Sequence, residues 1–150
     1  MIEAADASAA ARLAELHARA FPRAWSADDI AKLLQNPTTF ALISRANNEA
    51  QGFVMAWAAA GDAEILTVAV VPEARRRGVG AALVTSAGVA ALVRGATSMH
   101  LEVAEDNAPA RALYAKLGYA DAGRRGGYYA ADHGRVDAII MRRTLPRPVV

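Results

Sequence analysis

The chain has 150 residues, 54% hydrophobic and 21% charged, a balance that suits a folded domain with a buried core and excludes a disordered segment. It has no cysteine, which rules out disulfide staples and thiolate metal ligands and fits a reducing compartment. The net charge is only +2, so the sequence pI of 9.3 reflects arginine in place of lysine and does not call for a nucleic-acid partner.

In chain order, "MIEAA" reads as a short strand. Its surroundings lack the basic flank and apolar stretch of a secretory signal, and the chain has no run of about 18 apolar residues, so residence in the cytoplasm is expected. "SAAARLAELHARAF" places Leu13, Leu16 and Phe21 at near-helical spacing, with Ser8 as the expected cap. "WSADDIAKLLQ" offers Ser26 as N-cap, Asp29 three residues on, and a buried face of Ile30, Leu33 and Leu34. "TTFALIS" and "QGFVMAWAA" read as strands around the turn "RANNEA", and "AEILTVAVV" as a third, stopped by Pro72, which cannot donate to a ladder.

"VGAALVTSAGVAALVRG" is the longest predicted helix and ends at Gly95. "SMHLEVA" alternates as a strand, and "APARALYAKLG" is a helix with proline near its start and Gly118 at its stop. "YADAGRR", "GGYY" and "VDAIIMRR" form a final hairpin turning at "DHG". The tail "LPRPVV" reads as loose. The organisation is thus one domain over residues 1–145 with a short loose tail at 146–150. Strands that follow one another directly suggest antiparallel pairs and the two late helices suggest crossovers, so an α/β (α+β) fold with a mixed sheet is expected.

The most informative junction is "VAVVPEARRRGVGAAL", where a strand ends at a proline, passes three arginines and two glycines, and restarts as a helix. A helix N-terminus presents amides without intrahelical partners and carries partial positive charge. Gly78 and Gly80 allow close approach of a bulky anion, and Arg75, Arg76 and Arg77 add full charges, so the turn reads as a phosphate cradle. No lysine followed by Ser or Thr comes after Gly80, which excludes the nucleoside-triphosphate loop. Leu83 stands where the dinucleotide fingerprint needs a small residue.

This turn resembles the acyl-CoA-binding motif of the GNAT N-acetyltransferases, in which Gln or Arg is followed by two residues, Gly, one residue, and Gly or Ala. Here it runs from Arg75 to Gly80. The resemblance implies that Arg76, Arg77, Gly78, Val79, Gly80 and Ala81 turn their amides onto the diphosphate of coenzyme A, while Val68, Ala69 and Val70 hydrogen-bond the pantetheine arm. "LEVAEDNAPARALYAKLGY" is similar to the second half of the same fold. With "AFPRAWS", "YY" and "VDAIIM", the likeness extends from about residue 20 to 141, toward bacterial ribosomal-protein-alanine N-acetyltransferases. It implies a mixed, mostly antiparallel seven-stranded sheet with a V-shaped opening between strands 4 and 5, flanked by about four helices. It also implies Glu102 as general base, Tyr114 as general acid, and Asn107 as a further coenzyme contact.

The residues themselves support part of this. Glu102 alternates with Leu101 and Val103 and so faces opposite to them. A carboxylate suits an acceptor that is already partly neutral. An α-amine with a pKa near 8 is roughly one-tenth neutral at pH 7, whereas a lysine near 10.4 is below about one-thousandth. A buried phenol such as Tyr114 keeps its proton and can deliver it to a departing thiolate. Read without the resemblance, Glu102 also fits an exposed strand residue, Tyr114 a core aromatic beside Leu113 and Leu117, and Asn107 a plain helix cap. Trp25, Tyr128 and Tyr129 are candidates to line a peptide groove.

His17, His100 and His133 are scattered, no metal-ligand spacing occurs, and no metal is expected. Ser86 lacks a nucleophile setting, Glu105 and Asp106 read as solvated or as part of a helix start, and Met55, Met99 and Met141 as core. Arg124, Arg125, Arg142 and Arg143 fit either a partner contact or a soluble surface.

The expected activity is acetyl transfer from acetyl-CoA to the N-terminal α-amine of a ribosomal-protein alanine, in a ternary complex. No cysteine is available to carry an acyl-enzyme. The expected partners are acetyl-CoA and a ribosomal protein N-terminus, with no membrane and no nucleic acid required; the chain is expected to act as a monomer, with a dimer as the alternative. A GNAT enzyme for a small amine or antibiotic is the rival, and a non-catalytic RNA- or ribosome-binding module the reading from another class. Three departures from the family pattern fall in acceptor-facing regions. Val136 stands where Glu is usual before Asp137 and Ala138, Gly126 and Gly127 stand where a polar residue is usual, and extra residues lie between Pro22 and Trp25.

Overall fold

Seven strands form one sheet in the order β1-β2-β3-β4-β5-β7-β6. The computed structural model describes residues 1–131 and 134–146. The strands are β1 (Ile2–Ala5), β2 (Thr39–Ala46), β3 (Glu49–Ala59), β4 (Asp62–Val70), β5 (Ser98–Ala104), β6 (Ala120–Ala131) and β7 (Gly134–Thr144). The helices are α1 (Ala10–Ala20), α2 (Ala27–Gln35), α3 (Val79–Val93) and α4 (Ala108–Lys116), with 3-10 turns at Ala7–Ala9 and Pro72–Ala74. Every strand pair is antiparallel except β4 with β5, which run parallel because α3 carries the chain across between them.

Local chemistry accounts for most element ends. Asn47 and Asn48 take left-handed backbone at φ 52° and 66°, the conformation a two-residue hairpin between β2 and β3 requires. Ser26 caps α2 by accepting from the Asp29 amide at 3.1 Å, as the sequence indicates. At α1 the expectation fails. Asp6, not Ser8, is the capping residue: its carboxylate accepts from the Ser8 amide, and a 3-10 turn leads into a helix whose own N-cap, Ala9, has no side-chain acceptor. A carboxylate two residues upstream outcompetes the serine hydroxyl.

The sheet carries a core on each face. On one, Leu83, Val84, Ala87 and Ala91 of α3 pack on Val54, Ala56, Ile65, Met99, Leu101, Val103 and Met141. On the other, Leu13 and Leu16 of α1 and Ile30 of α2 pack on Ala41, Ile43, Phe53, Met55 and Ala69. Fully burying side chains such as Phe53, Leu13 and Ile30 stabilises by about 1.5–3 kcal/mol each. The three core methionines are buried as expected. Leu145, read as the start of a loose tail, is also buried: its amide donates to the Thr97 carbonyl at 2.9 Å and its side chain packs in the α3-side core. Residues 147–150, and Asp132 and His133 of the expected "DHG" turn, lie outside the described residues.

β4 departs from regular pairing in two places. Met55 pairs with Thr67 but Ala56 with Ile65, so Leu66 is an extra residue in the strand. This bulge changes which face later residues occupy: Ile65 lies in the α3-side core and Ala69 in the α1-side core. The parallel ladder with β5 then ends at Ile65↔Leu101, and beyond Leu66 and Glu102 the two strands no longer pair.

Candidate active site

The unpaired ends of β4 and β5 open into a cleft of about 720 Å³. β4 contributes Ile65, Leu66, Thr67 and Val68, and β5 contributes Leu101 to Ala104. α4 and its cap supply Asn107, Ala110 and Tyr114, β6 supplies Tyr129, and His17, Phe21, Pro22, Arg23 and Trp25 come from α1 and the connection to α2. Glu102 of β5 and Tyr114 of α4, twelve residues apart in sequence, therefore line one cavity.

Glu102 sits where β5 leaves its partner, on the face opposite the buried Leu101 and Val103. Its side chain is 19% exposed, and Oε1 accepts from Arg125 Nη1 at 2.8 Å. Tyr114 is the inward residue of α4, and its phenol is pushed up to about 12 by burial and then by the neighbouring Tyr119 phenol. The Tyr114 and Tyr119 rings meet edge to face with centroids 6.2 Å apart. At neutral pH Tyr114 is thus a proton donor. Tyr129 is likewise pushed up to about 12, by burial first and then by the Glu102 carboxylate. Asn107 does cap α4, accepting from the Ala110 amide at 3.3 Å, while also lining the cleft.

At the far end of β4, the turn before α3 holds Arg76 at φ 64° and Gly78 at φ 79°. Gly78 is required there by its left-handed backbone rather than by crowding, since a Cβ would meet nothing within 4 Å. Among the described residues, no amide from Arg76 to Ala81 has a partner within the chain; the first helical bond at this end is Ala82 N–H to the Gly78 carbonyl. The turn therefore offers successive unbonded donors at the N-terminus of a 15-residue helix, which fits a diphosphate. Arg75 does not join in. Its guanidinium donates to the Val70 and Ala20 carbonyls, tying the end of α1 to the end of β4. Arg76 and Arg77 remain exposed beside the turn. Val68 lines the cleft, whereas the Ala69 side chain is buried on the α1 side, so Ala69 can face a ligand only through its backbone.

One cleft residue, and one partner of a cleft residue, escaped the sequence. His17, set aside as scattered, is 3% exposed and fully engaged: Nδ1 accepts from the Trp25 amide at 3.1 Å, which leaves Nε2–H to donate to Thr67 Oγ1 at 3.2 Å. Its ring also stacks on Trp25 with centroids 5.0 Å apart. Burial lowers its pKa, so the imidazole is neutral. Arg125 gave no signal either, because its partner Glu102 is 23 residues away. Two other arginines of that group are also tied within the chain: Arg124 pairs with Glu105 and Asp137, and Arg142 donates to Ser98 Oγ. Of the groove candidates, Trp25 and Tyr129 line the cleft, while Tyr128 lies outside it under the Arg125 guanidinium. The Gly126–Gly127 stretch is fastened by the Gly127 amide, which donates to Asp137 Oδ1 at 2.8 Å.

A donor that must thread between two parted strands, anchored by its charged end at a helix start, is what acyl-thioester transferases use, and the fold defines that class. The chain belongs to the acetyltransferase (GNAT) family, whose profile matches residues 10–119. It is 34% identical over 132 residues, 87% of this chain and 86% of the other, to a Bacillus subtilis (strain 168) protein provisionally named as a ribosomal protein bS18-alanine N-acetyltransferase. It is 37% identical to the ribosomal protein bS18-alanine N-acetyltransferase of Escherichia coli (strain K12) over 95 residues, 63% of this chain and 64% of that one. The crystal structure of the ribosomal-protein-S18-alanine N-acetyltransferase from Escherichia coli superposes with a TM-score of 0.91 at 28% identity, over 99% of this chain and 96% of that one. Arabidopsis thaliana NAA60, solved in complex with acetyl-CoA, shares the fold with a TM-score of 0.82 at 20% identity, over 97% and 98% of the two chains.

Proposed function

We propose that this protein transfers acetyl from acetyl-CoA to the N-terminal α-amine of a protein beginning with alanine, a ribosomal protein of the small subunit being the favoured acceptor. The observation that carries the reading is that one cleft, opened by the parting of β4 and β5, is lined by both Glu102 and Tyr114, and that β4 runs from it to the turn with unbonded amides. The names of the Bacillus and Escherichia relatives support the acceptor. The NAA60 complex, together with the family, supports the donor.

In this scheme the amides of Arg76 to Ala81 bind the diphosphate, and the unpaired edge of β4 at Val68 to Val70 holds the arm that leads to the thioester. The acceptor enters past Phe21, Trp25 and Tyr129. Glu102 takes a proton from the α-ammonium, and the freed nitrogen lone pair attacks the thioester carbonyl directly. As the carbon–sulfur bond breaks, the sulfur keeps the bonding pair and Tyr114 protonates it; the attacking nitrogen gives up its second proton, through water, to the Tyr114 phenolate, and Glu102 returns its own proton to solvent. Both proton-transfer groups come from the chain, and no covalent acyl-enzyme is formed. Such an enzyme works in the cytoplasm as a monomer, where nascent and assembling ribosomal proteins are available.

The deciding experiment incubates the protein with acetyl-labelled acetyl-CoA and purified ribosomal proteins and locates label by mass spectrometry. Label on an N-terminal alanine is expected. Label on small amines alone, with peptides ignored, would move the assignment to the small-amine class. Strongly salt-dependent RNA binding without transfer would move it to a binding module.

A further inference from the structure

Glu102 is not bare in the cleft. Arg125 Nη1 holds its Oε1 at 2.8 Å, and the same guanidinium lies over the Tyr128 ring, 4.2 Å from the centroid. The pair is lopsided: the carboxylate is mostly enclosed, whereas 52% of the Arg125 side chain is exposed. Arg125 also stands at a break in the sheet. It pairs with Ala138, and the β6–β7 ladder is regular again only at Tyr129↔Val136, with Gly126 and Gly127 in the gap. A side chain at the lip of such a break can swing outward without disturbing regular ladder bonds.

The charged and titratable groups around Glu102 are few. α1 presents the neutral His17, α4 the Tyr114 phenol, β6 Tyr129 and Arg125, and the α1–α2 connection Arg23; His100 lies two residues earlier on β5, and β7 places Ile140 opposite. Among the described residues Glu102 is the only carboxylate lining the cleft. An incoming α-ammonium thus has one counter-ion there, and a guanidinium already occupies it.

We propose that Arg125 is a displaceable clasp on Glu102. The acceptor's α-ammonium takes the carboxylate over from the guanidinium, so that Glu102 is released to accept a proton only when a charged amine is in place. This rests on the acetyltransferase reading. The proton moves from ammonium nitrogen to carboxylate oxygen, and the guanidinium keeps its charge throughout, turning away from the carboxylate while it stays over the Tyr128 ring. Arg125 acts through Glu102 and is a positioning residue. A partly exposed ion pair is weak enough for such an exchange and strong enough to discourage neutral ligands.

The test measures binding by calorimetry with coenzyme A present and no acetyl donor. It compares a hexapeptide beginning with alanine and its twin lacking the α-amino group, for the wild type, Arg125→Gln and Arg125→Lys. Competition predicts that Arg125→Gln binds the ammonium peptide tighter, by on the order of 3- to 10-fold, with no change for the twin, and that Arg125→Lys stays near wild type. A merely structural arginine would leave affinity unchanged or weaken it. Equal or weaker binding in Arg125→Gln, or no ammonium-dependent binding to either form, overturns the clasp. Tighter binding in Arg125→Gln without any acetyl transfer by the wild type would overturn the acetyltransferase reading and leave the clasp standing.

Discussion

His17 Nε2 and Thr67 Oγ1 lie 3.2 Å apart across 50 residues of sequence and join the α1 wall of the cleft to β4 just after its bulge. The same ring accepts from the Trp25 amide, so one imidazole sets both the connection between α1 and α2 and the β4 wall of the cleft. His17→Ala should remove both bonds and leave a cavity, costing about 2–4 kcal/mol in denaturant unfolding.

The same group makes stability depend on pH. Burial lowers the His17 pKa in the folded chain, below the value of about 6.5 expected when unfolded. As pH falls through about 6.5 the unfolded chain takes up this proton first, so stability present above that pH is lost below it. Unfolding free energies measured from pH 8 to pH 5 should decline on the acid side for the wild type and decline less for His17→Gln. Equal slopes would remove His17 as the cause.

With its phenol raised to about 12, Tyr114 stays protonated through the whole range in which the enzyme can be assayed. Tyr114→Phe should slow transfer by about 10²-fold and abolish one of the late phenol ionisations in an absorbance titration near 295 nm, where Tyr119 and Tyr129 also titrate at about 12. Any alkaline loss of activity well below that pH must then come from another group. An unchanged rate in the variant would return Tyr114 to a packing role.

Replacing Glu102 by Gln keeps the shape of the side chain and removes its charge. Transfer should fall by about 10²–10³-fold, while calorimetric affinity for coenzyme A stays within about 2-fold, since the turn of unbonded amides proposed to hold the diphosphate lies beyond the end of β4. Parallel losses of binding and rate would show that Glu102 shapes the cleft instead of accepting the proton.

Gly52 pairs with Val70, where β3 and β4 run together toward the turn. A Cβ on Gly52 would lie 2.3 Å from the Ala69 carbonyl oxygen, a backbone atom that cannot yield alone. Gly52→Ala should therefore push the two strands apart, lowering stability by about 1–3 kcal/mol and weakening coenzyme affinity with it. Arg76→Ala and Arg77→Ala, both exposed, make the opposite case. Each should weaken coenzyme binding by roughly 3- to 10-fold in a salt-dependent way with the thermal midpoint unchanged.

The order of strands and helices, the turn at Asn47 and Asn48, the cap at Ser26 and the glycine- and arginine-rich turn before α3 were all legible along the chain, because each depends on neighbours within a few residues. The glycines and arginines at 75–80, and the Leu-Glu-Val alternation around Glu102, carry their meaning locally. The sequence by itself thus determined the element pattern, the turn of unbonded amides before α3, and Glu102 and Tyr114 as the candidates for proton transfer. Only the tertiary structure decided what surrounds them. It set His17 on Thr67, Arg125 on Glu102, Arg75 on the Val70 and Ala20 carbonyls, and Leu145 in the core. Each of these joins elements distant in sequence, and the bulge at Leu66 and the end of the β4–β5 ladder determine which side chains share the cleft. Periodicity reports which face a residue takes within its own element; the meeting of two faces depends on register and on where pairing stops, which no local pattern encodes.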